Sequence, residues 1–232
     1  MIDQLISFDR ELLLMLNGSD SAFLDGIFLS ITRTGTWIPL FLCLLYVVIK
    51  NNNTRRYLIL LGLTVLLVVV TDRFSSGLCK PFFHRLRPSH DPSMEGLVDL
   101  VNNHRSGIYS FISGHATNTF AIAFYFSLIF RNRLTTVMMF TWAVLSSYSR
   151  IYLGLHYPGD ILAGAVSGSL IGSGFYYIYQ SLARRYTVFC DKCSCLYTSS
   201  GYMIKDLRIL QAVFLATLLY TVIYAVFFSY GQ

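Results

Sequence analysis

Long apolar runs separated by short polar segments dominate the pattern along the chain. A helix needs about 20 predominantly apolar residues, at about 1.5 Å per residue, to cross a hydrocarbon core. Residues 57–78, 134–153, 161–178 and 209–228 meet that length. Residues 117–130 form a shorter run that becomes long enough if His115 sits in its first turn, and residues 37–49 become so if residues near Gly35 extend them. The pattern predicts an all-α integral membrane helical bundle of about six transmembrane helices.

The amino-terminal segment has a different pattern. Leu5, Ile6, Leu12, Leu13 and Leu16 alternate with Asp9, Arg10 and Glu11, as in a helix lying in the membrane interface. Asn17, Gly18, Ser19 and Asp20 end that helix, and the apolar stretch 23–31 reads either as another surface helix or as the start of the first span. No basic leader or small-residue cleavage site precedes an apolar core, so no removed signal peptide is expected. No linker or repeat period divides the chain, and residues 1–232 read as one domain.

Composition agrees with a bilayer as solvent: 54% of residues are hydrophobic and only 13% charged, against about 25% charged in soluble domains. The net charge of +6 reflects topology, because loops kept in the cytoplasm carry excess Lys and Arg, and nucleic-acid binding is not expected. Lys50, Arg55 and Arg56, then Arg131 and Arg133, then Arg184, Arg185, Lys192, Lys205 and Arg208 fall on one side of the predicted bundle. The remaining loops and both chain ends then lie on the opposite face. Gly164, Gly168 and Gly172 recur every four residues and mark a helix face where a neighbour packs closely.

Chemistry gathers in the loops of that opposite face. In the run SRIYLGLHYPGD, Pro158 suits the first turn of a helix, which puts His156 just before the helix and Asp160 about one turn on. There the carboxylate can hold one imidazole nitrogen and leave the other free to attack. Either residue alone reads equally well as an interfacial His or a helix cap. Arg150 tips the balance, since a guanidinium at the membrane edge calls for an anion. Ser113, Gly114 and His115 stand where a polar loop meets an apolar run; a helix amino terminus there would offer N–H groups to an anion, with His115 placed to protonate a leaving oxygen. Taken alone, that triplet is as readily an ordinary helix cap. Lys80, His84, Arg85 and Arg87 crowd KPFFHRLRP on the side where basic residues are otherwise scarce, which Lys80 and Arg87 facing a phosphate would explain.

In order and spacing, the segments from Lys80 to Asp160 resemble the type 2 phosphatidic acid phosphatase superfamily, which includes bacterial membrane lipid phosphatases. The resemblance implies that His156 is the nucleophile forming a phosphohistidine, Asp160 its orienting partner and His115 the general acid. It implies that Lys80, Arg87, Ser113, Gly114 and Arg150 hold the phosphoryl oxygens, with no metal or other cofactor. The substrates it implies are undecaprenyl diphosphate, lipid A phosphate, phosphatidylglycerophosphate or phosphatidate, handled in a bacterial inner membrane with the site on the periplasmic or outer face. One departure is Ile112, where the family usually has Pro, so the entry to Ser113 lacks a fixed φ. A lipid phosphotransferase and a silent lipid-binding scaffold on the same fold stand as alternatives.

Other residues receive plainer readings. Cys190, Cys193 and Cys195 read as reduced thiols without a metal, and Cys43 and Cys79 as packing residues. His84 and Arg85 line a substrate entrance or decorate the loop, while His90 and His104 read as loop residues. Asp72 and Arg73 are expected to pair with each other facing the bundle.

Overall fold

The computed structural model describes residues 2–103, 105–184 and 196–231. The described residues are helical, with two isolated backbone bridges in place of strands. In chain order the helices are α1 (Ile2–Leu16), α2 (Ala22–Thr32), α3 (Ile38–Asn51), α4 (Thr54–Asp72), the short α5 (Lys80–Phe83), α6 (Gly114–Phe130), α7 (Arg133–Tyr152), α8 (Pro158–Arg184) and α9 (Ile204–Tyr230). A π-helical turn over Arg73–Cys79 carries α4 into α5, so Lys80 rides on the end of a continuous line of 30 residues, Thr54–Phe83.

The predicted crossings correspond to α3, α4, α6, α7, α8 and α9. The stretches Thr34–Asn51, Thr54–Phe83, Pro158–Ala183 and Ile204–Tyr230 are long and apolar enough to span by themselves. Helix α6 has only 17 residues, and α7 carries Ser, Thr and Arg. Helix α6 lies inside the bundle, whereas α7 buries the face that carries Ser146, Ser149 and Arg150 and leaves Leu134, Val137 and Val144 outward. Helix α6 buries eleven of its residues, from Ala116 to Phe130, whereas only 28% of the apolar stretch of α9 is buried, leaving Leu215, Leu219 and Phe227 outward.

Helices α6 and α8 pack backbone to backbone along the predicted glycine seam. A Cβ on Gly164 would lie 2.8 Å from the Ser113 carbonyl oxygen, and Cβ atoms on Gly168 and Gly172 would strike the backbones of Thr117 and Ala121. Small residues at this spacing thus hold the first turn of α8 against the first turn of α6. Trp37, Leu44, Tyr125, Phe126, Phe130, Met139, Trp142 and Phe214 fill the main core beyond.

Helix α2 is a separate helix, not the start of the first span. Ser21 caps it, accepting from Leu24 N, and Gly26 lets it lie on α9, since a Cβ there would be 2.8 Å from Ala225 Cα. Helix α1 leaves Leu5, Phe8 and Met15 exposed and buries Leu13 against Met94, Ile151, Tyr157 and Ile161.

The two ends of the bundle differ in charge. At one end Lys50 Nζ donates to Asp206 Oδ1 at 2.9 Å, Met203 N donates to Asn51 Oδ1 and Ser200 Oγ donates to the Phe130 carbonyl. At the other end lie α1 and the loops before α6 and α8. Arg185, Lys192, His104 and Cys190, Cys193 and Cys195 fall outside the described residues. Asp72 and Arg73 do not pair: both are exposed and no ion pair joins them. Adjacent residues on a helix point in different directions, so neighbours in sequence cannot share one inward face.

Candidate active site

Ser149 to Asp160 runs from the last turn of α7, through the connecting turn at 153–157, into the first turn of α8. Gly154 adopts φ +65°, and a Cβ there would strike Val98, so the turn calls for glycine on both counts. Leu155 N and His156 N donate to the Arg150 carbonyl at 2.9 and 3.3 Å. Pro158 opens α8, leaving His156 just ahead of the helix and Asp160 in its first turn. Ser113 caps α6, with its hydroxyl accepting from Ala116 N, and its own N–H donates to the Asp160 carbonyl at 3.2 Å. The two helix starts are therefore tied directly together.

His156 is 1% exposed. Its Nε2 lies 3.1 Å from Arg87 Nη1, and its Nδ1 lies 3.5 Å from Asp160 Oδ2. A guanidinium only donates, so Nε2 must accept, and the proton of a neutral ring must sit on Nδ1, facing the carboxylate. The Nδ1 contact is longer than a formed hydrogen bond, and Asp160 is the carboxylate it faces. Burial, aided by Arg87 and Arg150 and opposed by Asp160, pushes His156 from the ordinary 6.5 down to about 3. The ring is thus neutral, with its lone pair on the nitrogen away from the carboxylate.

Asp160 is fully buried. Its Oδ2 accepts from the Ser110 hydroxyl and, at 3.0 Å, from Tyr157 N, and its Oδ1 accepts from Arg85 Nη1 at 2.9 Å. Arg87 is 4% exposed and fixed by the carbonyls of Tyr109 and Leu155, at 3.1 and 3.0 Å.

Arg150 is 6% exposed; it donates to Thr32 Oγ1 at 2.7 Å, while its Nε has no partner. Lys80 Nζ reaches Ser76 Oγ at 3.4 Å. Among the described residues neither Arg87, Arg150 nor Lys80 forms an ion pair. All of them lie within electrostatic reach of His115, in the first turn of α6. Gly114 opens that helix, and a Cβ on it would sit 3.2 Å from Ser75 Oγ. His115 also lines an apolar cavity of about 360 Å³ with Thr32, Trp37, Phe41, Ile122 and Trp142.

The structure therefore brings Lys80, Arg87, Ser113, Gly114, His115, Arg150, His156 and Asp160 to one end of the bundle, from α5, the loop behind it, α6, α7 and α8. Such a set can receive an anion between cations, attack it with a neutral imidazole and supply a second imidazole for proton transfer. Sequence reasoning missed the residues that hold this set: Thr32 for Arg150, Ser110 for Asp160, and Arg85, which grips Asp160 instead of lining the loop. The crowding of basic residues in KPFFHRLRP was the one available signal for Arg85. His84 is exposed, edge-on to Tyr109 at 5.0 Å, and the His90 ring lies 3.0 Å from the Ser89 hydroxyl. Ile112 is buried at the entry to α6.

Known proteins resemble this chain in sequence and in fold. The lipid A 4′-phosphatase of Porphyromonas gingivalis is 37% identical over 185 residues, 80% of this chain and 78% of its own length. That of Bacteroides thetaiotaomicron is 37% identical over 186 residues, 80% and 83% of the two chains. The fold is similar to that of a transmembrane PAP2-type phosphatidylglycerolphosphate phosphatase from Bacillus subtilis, at TM-score 0.57 and 22% identity over 80% of this chain and 89% of that one. The family model of the PAP2 superfamily matches residues 53–184, which hold the eight residues from Lys80 to Asp160 gathered at this end, and the chain belongs to that superfamily.

Proposed function

We propose that this chain removes the 4′-phosphate of lipid A through a phosphohistidine on His156. The chain is a membrane lipid phosphatase, and the lipid A specificity is supported by its 37% identity to two lipid A 4′-phosphatases. The observation that carries the mechanism is a buried neutral His156 beside Arg87 and Arg150, with Lys80 near both arginines, cations without an ion pair among the described residues. Buried or half-buried positive charge of that kind is balanced by a bound anion.

As a phosphomonoester enters, Arg87 exchanges its contact with His156 Nε2 for a phosphoryl oxygen, freeing the lone pair. Nε2 attacks phosphorus, the bond to the leaving oxygen breaks, and His115 gives that oxygen its proton. Asp160 stabilises the imidazolium that forms, as the carboxylate of a catalytic triad does. Lys80, Arg87, Arg150, the Ser113 hydroxyl and the Gly114 N–H face the charge on the phosphoryl oxygens, with no metal in the scheme. Water, deprotonated by His115, then cleaves the N–P bond and releases inorganic phosphate.

The site lies at the end of the bundle opposite Lys50, Arg131 and Lys205, and the tendency of basic residues to stay in the cytoplasm supports a site on the outer face of a bacterial inner membrane. Residues 1–232 act as one unit. Release of phosphate from purified protein over lipid A, undecaprenyl diphosphate, phosphatidylglycerophosphate and phosphatidate tests the reading. Mass spectrometry is expected to show lipid A losing the phosphate at position 4′ alone; a preference for another lipid, or loss at position 1, overturns the specificity.

A further inference from the structure

Arg85 and α1 have no part in the mechanism above, yet they hold its carboxylate. Arg85 Nη1 donates to Asp160 Oδ1 at 2.9 Å and Nη2 to Asp9 Oδ2 at 2.7 Å. The other oxygen of Asp9 accepts from Gly159 N at 2.7 Å, one residue before Asp160. Gly159 makes that approach possible, since a Cβ there would lie 2.8 Å from Asp9 Oδ2. The guanidinium is stacked 4.1 Å from the Tyr157 ring. Tyr157 in turn donates to Asp91 at 2.9 Å, and Arg10, next to Asp9 on α1, pairs with the same carboxylate at 3.0 Å.

We propose that Arg85, held by Asp9 of the amino-terminal helix, is a positioning residue for Asp160, so that docking of α1 sets the angle at which this carboxylate faces His156. The proposal rests on the phosphatase reading. Its physical reason is the softness of the Asp side chain: the torsion that turns a carboxylate about its own axis has a broad minimum. Ser110 and Tyr157 N hold one oxygen only. Arg85 fixes the other, and its planar fork reaches two carboxylates at once, which a lysine cannot do. Helix α1 turns Leu5, Phe8 and Met15 outward, exposed by 64, 62 and 81%, towards the membrane interface. The same helix thus meets lipid on one face and the first turn of α8 on the other.

The test uses the full chain in detergent and a lipid phosphate that the wild type hydrolyses, with kcat and KM measured separately. Arg85→Gln is expected to lower kcat by about 10- to 100-fold, the range seen when a group behind a reacting side chain is removed, with KM unchanged. Arg85→Lys recovers part of the loss. Asp9→Asn, which can still accept from Gly159 N, gives a smaller fall in kcat. The double variant falls no further than Arg85→Gln, because Asp9 acts through Arg85. Unchanged kcat in Arg85→Gln, a change confined to KM, or additive losses in the double variant overturns the inference while leaving the phosphatase reading intact. A wild type that hydrolyses no lipid phosphate withdraws both.

Discussion

The two ends of the bundle each hold buried charge, and they treat it in opposite ways. At the basic-loop end Asp206 is fully buried and answered locally by Lys50 at 2.9 Å and Asn51 at 3.0 Å. At the site end Arg87 and Arg150 act on His156 and Lys80 lies near both, while the carboxylate at His156, Asp160, is already taken by Arg85, Ser110 and Tyr157 N. The first arrangement is closed and makes structure. The second leaves positive charge without a protein counter-charge, which is how a fold stores affinity for an anion.

The sharpest way to break this contrast is to remove the attacking ring. His156→Ala is expected to reduce phosphate release by about 10⁴-fold or more, as loss of a nucleophile does elsewhere, while the protein remains folded by circular dichroism. Next is Arg150→Gln, which deletes a cation but no reacting atom. Steady-state kinetics should show about a 100-fold loss in kcat/KM. At the opposite end Lys50→Met should do the reverse, lowering the melting temperature in detergent and leaving kcat within about twofold of the wild type, since the sites are far apart.

The smallest effect is pH dependence. His156 is held near 3, against an ordinary 6.5, so the unfolded chain takes up a proton first as pH falls. The stabilisation is complete above 6.5 and is lost progressively as pH falls towards 3. A His156→Asn variant should show a flatter decline in melting temperature over that window.

The spans, the glycine seam and the pairing of His156 with Asp160 at the start of α8 were legible because each is written locally: apolar runs of bilayer length, small residues every fourth position, His156 and Asp160 one turn apart across Pro158. What escaped was held by contacts between distant residues. Arg85 and Asp160 are 75 positions apart, Ser110 and Asp160 50, and Thr32 and Arg150 118. No local pattern ties such pairs together. Asp72 and Arg73 show the converse error, since adjacency in sequence suggested a contact that helical geometry forbids. Helix α2 was ambiguous because its 11 residues are apolar but too short to span, and only its packing on α9 fixes its place.

Passage of phosphate through His156 can be captured directly. Purified protein mixed with lipid carrying a labelled phosphate, quenched in base within the first turnover and digested for mass spectrometry, should give an acid-labile phosphoryl group on the peptide that holds His156. Its absence from His156→Ala would complete the result. Full turnover with no labelled histidine, or with the label on another residue, would contradict it.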